Sequence, residues 1–343
     1  MISLPTTAEN VRKRFLDTPE TAADFAGAAA FLEIGDRLGI LPLLEKGDPV
    51  TAAEIAEATG LPVAGVADYL EAMTAAALVQ DAPRTPGAVQ LAADYEQTRY
   101  EAGYLSWALN ANRPFIENSS RFLHDREEAI RHHDRDFRQV AVSSHWMGSK
   151  GFYTEATDTI RAARPSRMVD LGAGTGRLLI DTLREFPDTT GVALDFSAGA
   201  CEEARRAADR AGVGPRLEVV VRTIQSIADD PAPLEGADLI HAGFVFHDMM
   251  PEEESIADAV LANCRDALKP GGIMAITEAV PYVRNSRERR FSALVTYYHR
   301  TFMGRRLLDE TEWKEKLLKA SFAKVDCVQA RFPTGRLFVA TKK

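Results

Sequence analysis

One glycine-rich segment constrains the fold of this chain more than any other, residues 169–179 with the sequence VDLGAGTGRLL. Its apolar start predicts a buried strand, its glycines a sharp turn, and its end the beginning of a helix. Asp170 falls at the strand end, where ligands of open α/β sheets bind. The spacing is D-x-G-x-G-x-G, so Arg177 stands where a dinucleotide-binding loop needs its third glycine, and no Walker lysine follows. Taken alone, the segment is also compatible with a tight turn that binds no ligand.

Two later segments follow in the order expected of a nucleoside-binding sheet. Residues 191–196 predict the next strand, which ends in Asp195 and Phe196. A carboxylate at that position can accept hydrogen bonds from both ribose hydroxyls of an adenosine. Further along, the segment KPGG at 269–272 predicts a turn in front of the apolar strand 273–278.

These three segments together resemble the ordered motifs of the class I S-adenosylmethionine (SAM) dependent methyltransferases. The resemblance implies SAM as cofactor. It places the SAM contacts at strand ends, on Asp170, Gly172, Gly174, Asp195, Phe196 and Thr223. Many relatives carry an acid near the adenine amino group where this chain has Thr223, so either Thr223 or a backbone group is expected to make the adenine contact.

The alternation of strands and helices from residue 165 to 343 predicts a mostly parallel sheet with an antiparallel last strand. Before it, a capping box at 51–54 and the helical spacing of apolar residues predict a small helical module with a wing at 78–91. Its second helix carries Asp68 and Glu71 but no Lys or Arg, which argues against DNA binding. The module is similar to the dimerisation domain of small-molecule O-methyltransferases.

The predicted fold class is therefore α/β, a Rossmann-like class I methyltransferase core with an N-terminal α-helical winged-helix-like dimerisation domain. We expect three segments: residues 1–103 as the dimerisation domain, 104–156 as a helical linker that lines the substrate pocket, and 157–343 as the SAM-binding domain. The resemblance also implies a homodimer.

Charge and composition exclude some classes of partner. The formal net charge of −9 disfavours a nucleic-acid backbone as partner. No apolar run approaches the length that spans a membrane, and no secretory signal pattern opens the sequence. The three cysteines lack metal-type spacing and are expected to be reduced thiols, so a cytoplasmic enzyme with neither nucleic acid nor membrane as partner is predicted.

The segment 237–250 predicts a central strand that runs toward a helix, with His247 and Asp248 just past the strand end. Residues 247–249 resemble the His-Asp-Trp segment of the O-methyltransferases, although Met249 replaces the tryptophan. The resemblance implies that His247 is the catalytic general base that removes a phenol proton. An imidazole suits that task because its ordinary pKa lies near working pH.

A second resemblance rests on His299, in the predicted helix 288–302. With His247 and Asp248 it would form two imidazoles and one carboxylate, a set of metal ligands with open positions. This set resembles the metal-dependent C-methyltransferases that act on 2-oxo acids in nonribosomal-peptide pathways. It implies a divalent metal, Zn²⁺ or Fe²⁺, that polarises the substrate carbonyl so that the β-carbon can be methylated.

The sequence therefore favours SAM-dependent C-methylation of a small 2-oxo acid, with Arg113 and Arg135 as candidate partners of the substrate carboxylate. The alternative is a metal-free O-methyltransferase for a phenolic natural product, with His247 as general base. A SAM-binding protein without catalysis, or a transcriptional regulator, is the rival from another class.

Overall fold

The computed structural model describes residues 19–285 and 287–343. The chain divides into two compact units. The first comprises the described residues up to Glu117 together with Asp134–Gly148, and the second comprises Asn118–His133 and Ser149–Lys343. The division of the chain into segments 1–103, 104–156 and 157–343 remains a prediction.

The elements before the large sheet are mostly short helices. In chain order they are α1 (Pro19–Arg37), α2 (Leu41–Leu44), β1 (Val50–Thr51), α3 (Ala52–Thr59), α4 (Val63–Ala75), β2 (Val79–Asp81), β3 (Ala88–Leu91), α5 (Tyr95–Leu105), a π-helix (Ser106–Ala111), α6 (Arg113–Glu117), α7 (Ser119–His124), α8 (Arg126–Ile130), α9 (Phe137–Met147), a second π-helix (Gly148–Phe152) and α10 (Thr154–Ala163). Of these, α7, α8, α10 and the second π-helix after its first residue belong to the second unit.

The first unit contains the predicted helical pair and wing. The Thr51 hydroxyl accepts from the Glu54 N–H while the Glu54 carboxylate accepts from the Thr51 N–H, which is the predicted capping box. Helix α3 ends at Gly60 in the left-handed conformation. Strand β3 pairs antiparallel with both β1 and β2, so the wing is a small three-stranded sheet. The unit has its own apolar core, which includes Leu32, Ile40, Leu44, Ile55, Met73 and Trp146.

The second unit is built on a seven-stranded sheet. Its strands and helices are β4 (Arg167–Leu171), α11 (Arg177–Glu185), β5 (Thr190–Asp195), α12 (Ala198–Arg210), β6 (Leu217–Val221), β7 (Ala237–Gly243), α13 (Glu254–Ala267), β8 (Leu268–Ala279), α14 (Arg289–Tyr297), a third π-helix (Tyr298–Phe302), α15 (Glu310–Lys319), β9 (Lys324–Gln329) and β10 (Gly335–Thr341). Short 3₁₀ turns occupy Gly214–Arg216, Ile224–Ala228, Ala232–Leu234 and Phe246–Met249.

The sheet order is β6-β5-β4-β7-β8-β10-β9. All pairs from β6 to β8 are parallel, and β10 runs antiparallel between β8 and β9, as predicted for the last strand. Strands β4 and β5 are apolar and almost continuously buried, as expected where helices cover both faces of a sheet. The order reverses beside β4, so the ends of β4, β5 and β7 form the edge where ligands of such sheets bind.

Two local predictions need correction. The segment KPGG does not form a separate turn: β8 runs unbroken from Leu268, and a register shift against β7 accommodates the glycines. The chain after His247 does not enter a helix directly either, since a 3₁₀ turn comes first and α13 begins at Glu254. Within the described residues, no helix has both the length and the apolar character that spanning a bilayer requires.

Candidate active site

The glycine loop joins β4 to α11 with a backbone that few other residues would allow. Gly172, Gly174 and Gly176 have φ angles of +73°, +56° and +73°. A Cβ built on Gly172 would lie 2.3 Å from Cγ1 of Val245, which belongs to the loop after β7. The N–H groups of Gly172 and Ala173 donate to the Leu194 carbonyl at 2.8 and 3.0 Å and so fasten the loop to β5. The result is a narrow backbone cradle at the ligand-binding edge of the sheet.

Asp195 lies directly beside this cradle. Its Oδ2 accepts from the Gly174 N–H at 2.9 Å and its Oδ1 accepts from the Ser197 N–H at 2.8 Å. Next to it, the ring of Phe196 is 76% exposed, which is unusual for a large apolar side chain at the edge of a core. Thr223 is also exposed, two residues beyond the end of β6. The structure thus brings five of the six predicted SAM-contact residues to the ends of two neighbouring parallel strands, β5 and β6, and to the loop after β4.

These features fit a SAM molecule. The cradle leaves no room for a side chain at Gly172, and each oxygen of the Asp195 carboxylate keeps a lone pair for a ribose hydroxyl. Asp170, however, is turned toward another partner. Its Oδ1 lies 2.7 Å from Nδ1 of His241, a buried histidine of β7 that the sequence alone did not indicate.

His247 is held by a carboxylate that the sequence analysis missed. Oε2 of Glu278, which is 1% exposed near the end of β8, lies 2.7 Å from Nδ1 of His247. Oε1 of the same carboxylate accepts from the N–H groups of Phe246 and His247 at 2.9 and 3.2 Å. Glu278 thereby fixes both the backbone turn and the imidazole. The sequence did contain a signal for Glu278, because it is an acidic residue near the end of an otherwise apolar strand.

The charges around His247 stabilise its protonated form. Burial alone would lower the pKa of the imidazole, but the carboxylates of Glu278 and Asp248 outweigh that effect and raise the pKa to about 10. Oδ1 of Asp248 lies 3.2 Å from Nε2 of His247 and 2.6 Å from Nη1 of Arg305. Arg305, a further residue that the sequence analysis missed, therefore balances the second carboxylate.

His299 lies beside His247. It belongs to the π-helix Tyr298–Phe302, a wider turn of the kind often found at functional sites. The two imidazole rings are 4.9 Å apart between centroids and nearly perpendicular, at 84°. Nδ1 of His299 bonds the Val295 carbonyl at 2.7 Å and so must carry the hydrogen. Within residues 19–285 and 287–343, however, no group of three or more His, Cys, Asp or Glu side chains is arranged to hold a metal ion.

The two predicted substrate arginines both belong to the first unit. Nη2 of Arg113 bonds Oδ1 of Asn110 at 3.3 Å, and its side chain is 63% exposed. The guanidinium of Arg135 lies 5.6 Å above the ring centroid of Phe137. These contacts are the ordinary surroundings of surface arginines, so they add nothing to the prediction that either residue binds a substrate carboxylate.

Comparison with known proteins agrees with this architecture. Residues 169–274 match a family described as a methyltransferase domain. The 3-hydroxy-5-methyl-1-naphthoate 3-O-methyltransferase of Streptomyces sahachiroi is 30% identical over 136 residues, which are 38% of this chain and 37% of that protein. The 2,7-dihydroxy-5-methyl-1-naphthoate 7-O-methyltransferase of Streptomyces carzinostaticus is 34% identical over 113 residues, 33% of this chain and 31% of that one. The matched region thus spans well under half of these relatives.

The likeness to solved structures extends over the whole chain. PigF with SAH superposes with a TM-score of 0.58 at 20% identity, covering 99% of this chain and all of that one (100%). Residues 169–274 are therefore similar to a methyltransferase domain, and the chain has the Rossmann-like class I methyltransferase fold with an N-terminal helical domain.

Proposed function

We propose that this chain is a SAM-dependent O-methyltransferase for a small hydroxylated aromatic molecule, with His247 as general base. The observation that carries the proposal is the buried pair of His247 and Glu278 at the ligand edge of the sheet. Because a carboxylate only accepts, Glu278 keeps the hydrogen of His247 on Nδ1. In the free chain Nε2 faces the Asp248 carboxylate at 3.2 Å, and the two carboxylates favour the doubly protonated ring. Nε2 becomes the base when a substrate hydroxyl displaces Asp248 from it and the Nε2 proton leaves to solvent.

The chain's own residues would divide the work as follows. Bound SAM would supply the electrophilic methyl group. Once the Nε2 proton has left to solvent, the neutral imidazole of His247 takes the hydroxyl proton on Nε2, which leaves the substrate oxygen free to attack. The carboxylates of Glu278 and Asp248 stabilise the imidazolium that this transfer produces, and they are the same groups that raise its pKa. The likeness to two naphthoate O-methyltransferases supports a hydroxyl group on an aromatic ring as the acceptor.

Exchange of Glu278 for glutamine tests this proposal. The amide can still accept from the two backbone N–H groups, but its NH₂ would donate to Nδ1 and move the imidazole hydrogen to Nε2. A base in that tautomer cannot take a proton, so E278Q should lower kcat by about a thousandfold or more. SAM affinity should be unchanged. The kcat is measured by transfer of labelled methyl groups to a panel of hydroxynaphthoates and phenols, and the SAM affinity by calorimetry. E278Q with wild-type kcat would refute the assignment.

Metal-assisted C-methylation of a 2-oxo acid is the second candidate. It is favoured by one observation, the contact between the His247 and His299 rings beside the Asp248 carboxylate. Against it, the described side chains are not arranged as a metal site, and Asp248 pairs with Arg305 instead. Metal analysis of the purified protein, with and without a chelator, together with turnover of phenylpyruvate and branched 2-oxo acids, decides between the candidates. Stoichiometric Zn²⁺ or Fe²⁺ with chelator-sensitive turnover would establish the second.

We also propose that two copies of the chain associate through the first unit. Several large apolar side chains of that unit are exposed, namely Ile34, Leu38, Leu109, Ile116 and Phe137. Exposed apolar side chains of this size can be covered by a second copy of the chain, and a two-fold dimer is the commonest arrangement for a soluble homo-oligomer.

A further inference from the structure

The carboxylate of Asp248 is shared between the proposed base and an arginine. Its Oδ1 lies 3.2 Å from Nε2 of His247 and 2.6 Å from Nη1 of Arg305. The Asp248 side chain is 46% exposed, whereas that of Glu278, the carboxylate on the other ring nitrogen, is 1% exposed. Two backbone N–H groups also hold Glu278 in place. Of the two carboxylates on the imidazole, Asp248 is therefore the one with room to move.

In this arrangement Asp248 blocks the base. A ring nitrogen of an imidazole forms one hydrogen bond, either through its hydrogen or through its lone pair. While Nε2 of His247 bonds Asp248, it cannot also accept a proton from the acceptor hydroxyl. The proposed reaction thus requires the carboxylate to leave Nε2, and a carboxylate that leaves one charged donor is stabilised where another donor replaces it.

Arg305 lies where it can provide that replacement. Its backbone N–H donates to the His299 carbonyl at 2.8 Å, which fixes the residue to the π-helix Tyr298–Phe302. Its Nη1 already bonds Asp248, while no acceptor within the described part of the chain bonds its Nε or Nη2. A planar guanidinium holds a carboxylate best through two parallel hydrogen bonds, so a second donor is available for Asp248.

We propose that Arg305 is a positioning residue, which draws Asp248 away from Nε2 of His247 and so opens the base to the acceptor hydroxyl. The inference rests on the general base of the proposed function. Asp248 gives up its hydrogen bond to Nε2 and accepts a second one from Arg305. The Nε2 proton leaves to solvent as in the proposed reaction, and the acceptor hydroxyl takes the position that Asp248 has left. Asp248 returns to Nε2 once the ring carries the proton of the acceptor.

A double-mutant cycle between Arg305 and Asp248 tests this role. Arg305→Met removes the guanidinium, and Arg305→Lys keeps the charge without the planar fork, which gives a second variant if the first does not fold. Each is made in the wild type and in Asp248→Asn, where no carboxylate blocks Nε2. Arg306→Met is the matched control, because this neighbouring arginine pairs with Glu312 at 2.8 Å instead. Methyl transfer to hydroxynaphthoates and phenols gives kcat/KM for the acceptor, and calorimetry gives the SAM affinity.

In the wild-type background, R305M should lower kcat/KM for the acceptor by about tenfold or more, the effect of losing a hydrogen bond between charged groups. R305K should lose less, because it keeps one charged donor. In the D248N background, neither variant should change kcat/KM by more than about twofold, since no carboxylate remains for Arg305 to move. R306M should match the wild type, and SAM affinity should be the same in every variant.

Equal losses from R305M in both backgrounds would show a purely structural role and would overturn the inference. Wild-type kcat/KM in R305M would overturn it too, as would complete loss of turnover in D248N, since a carboxylate that only blocks the base is dispensable. These outcomes affect Arg305 alone if the wild type methylates a phenol and E278Q does not. A wild type that methylates none of the acceptors overturns the proposed function as well.

Discussion

Gly172 is constrained by its positive φ angle, by the side chain of Val245 and by the proposed cofactor. Alanine there would adopt a positive φ at a cost of about 1–2 kcal/mol, and its methyl group would collide with Val245. We expect Gly172→Ala to weaken SAM binding by at least about tenfold, which corresponds to about 1.4 kcal/mol. Gly174→Ala is the matched control, because its φ is also positive but no atom lies within 4 Å of the added Cβ.

A double variant removes the side chain with which the added methyl group would collide. Val245→Ala combined with Gly172→Ala should recover part of the lost SAM affinity, since only the backbone strain would remain. Calorimetry with SAM measures all three variants. If Gly172→Ala and Gly174→Ala weaken binding equally, the collision with Val245 has no role.

His299 separates the two candidate reactions. Phenylalanine at this position keeps a ring against His247 but removes both nitrogens. If His247 acts as a base without metal, His299→Phe should leave methyl transfer to a phenol nearly unchanged while His247→Phe abolishes it. If a metal is bound, His299→Phe should lose both the metal and turnover. Rate measurements on both variants, with metal content determined in parallel, distinguish these results.

Several site residues could be predicted from the sequence because their signals are local. The glycines and Asp195 stand in a recognisable spacing, and His247 follows a strand end. Their partners could not be predicted in the same way. Glu278 is 31 residues from His247, and His241 is 71 residues from Asp170, so only the strand order β4-β7-β8 brings them together. Nothing in the local sequence specifies that order.

Among the elements, α15 has an N-terminus whose contribution can be measured. Oδ1 of Asp309 accepts from the N–H groups of Thr311 and Glu312 at 2.8 Å, and the Glu312 carboxylate accepts from the Asp309 N–H. Asp309→Ala should lower the free energy of unfolding by about 1 kcal/mol. Urea denaturation followed by circular dichroism measures it. Glu315→Ala on the exposed face of the same helix is the control, and an equal effect there would contradict the capping role.

The start of α14 is joined to β10 by a buried ion pair with a predictable pH dependence. Glu288 is 0% exposed and accepts from Asn285, from the Thr334 N–H and from Arg336. Burial alone would raise the pKa of Glu288, but these donors outweigh it and hold the pKa below its ordinary range. Such a group adds stability above its unfolded pKa of about 4.3, and that stability is lost as the pH falls through the folded value.

The wild-type chain should therefore lose stability faster than Glu288→Gln as the pH falls below about 4. At neutral pH the wild type should be the more stable protein, because Glu288→Gln lacks a charge for Arg336 and unfolds at a lower urea concentration. Urea midpoints for both proteins across the acid range measure the difference. Parallel curves for the two proteins would show that Glu288 does not contribute in this way.

At the level of elements, the sequence predicted the strands and the alternation of the second unit but not its irregular turns. The KPGG segment has the composition of a turn, yet it stays in β8 as an irregularity between Leu268 and Ile273, where Gly271 and Gly272 exchange backbone hydrogen bonds with Lys342. The π-helix that carries His299 is equally invisible in the local pattern, because its extra residue depends on what packs around the turn. Tertiary contacts override local preference in both cases.

For the whole molecule, the proposed dimer makes a direct prediction. Light scattering at micromolar concentration should give twice the chain mass of 37.6 kDa. Leu109→Glu in the first unit should shift the mass toward that of one chain. Leu318→Glu in the second unit is a matched control, since both leucines are 52% exposed. A single-chain mass for the wild type would refute the dimer.

The central claim is that the edge formed by the glycine loop and Asp195 binds SAM. The most direct test is calorimetric titration of SAM into the wild type, Asp195→Ala and the control Asp188→Ala, which removes an exposed acid away from the loop. The wild type and the control should bind SAM with the same affinity, and Asp195→Ala should bind at least about tenfold more weakly, as expected for lost hydrogen bonds to a charged group. Absence of binding to the wild type, or equal affinity in all three proteins, would contradict the account.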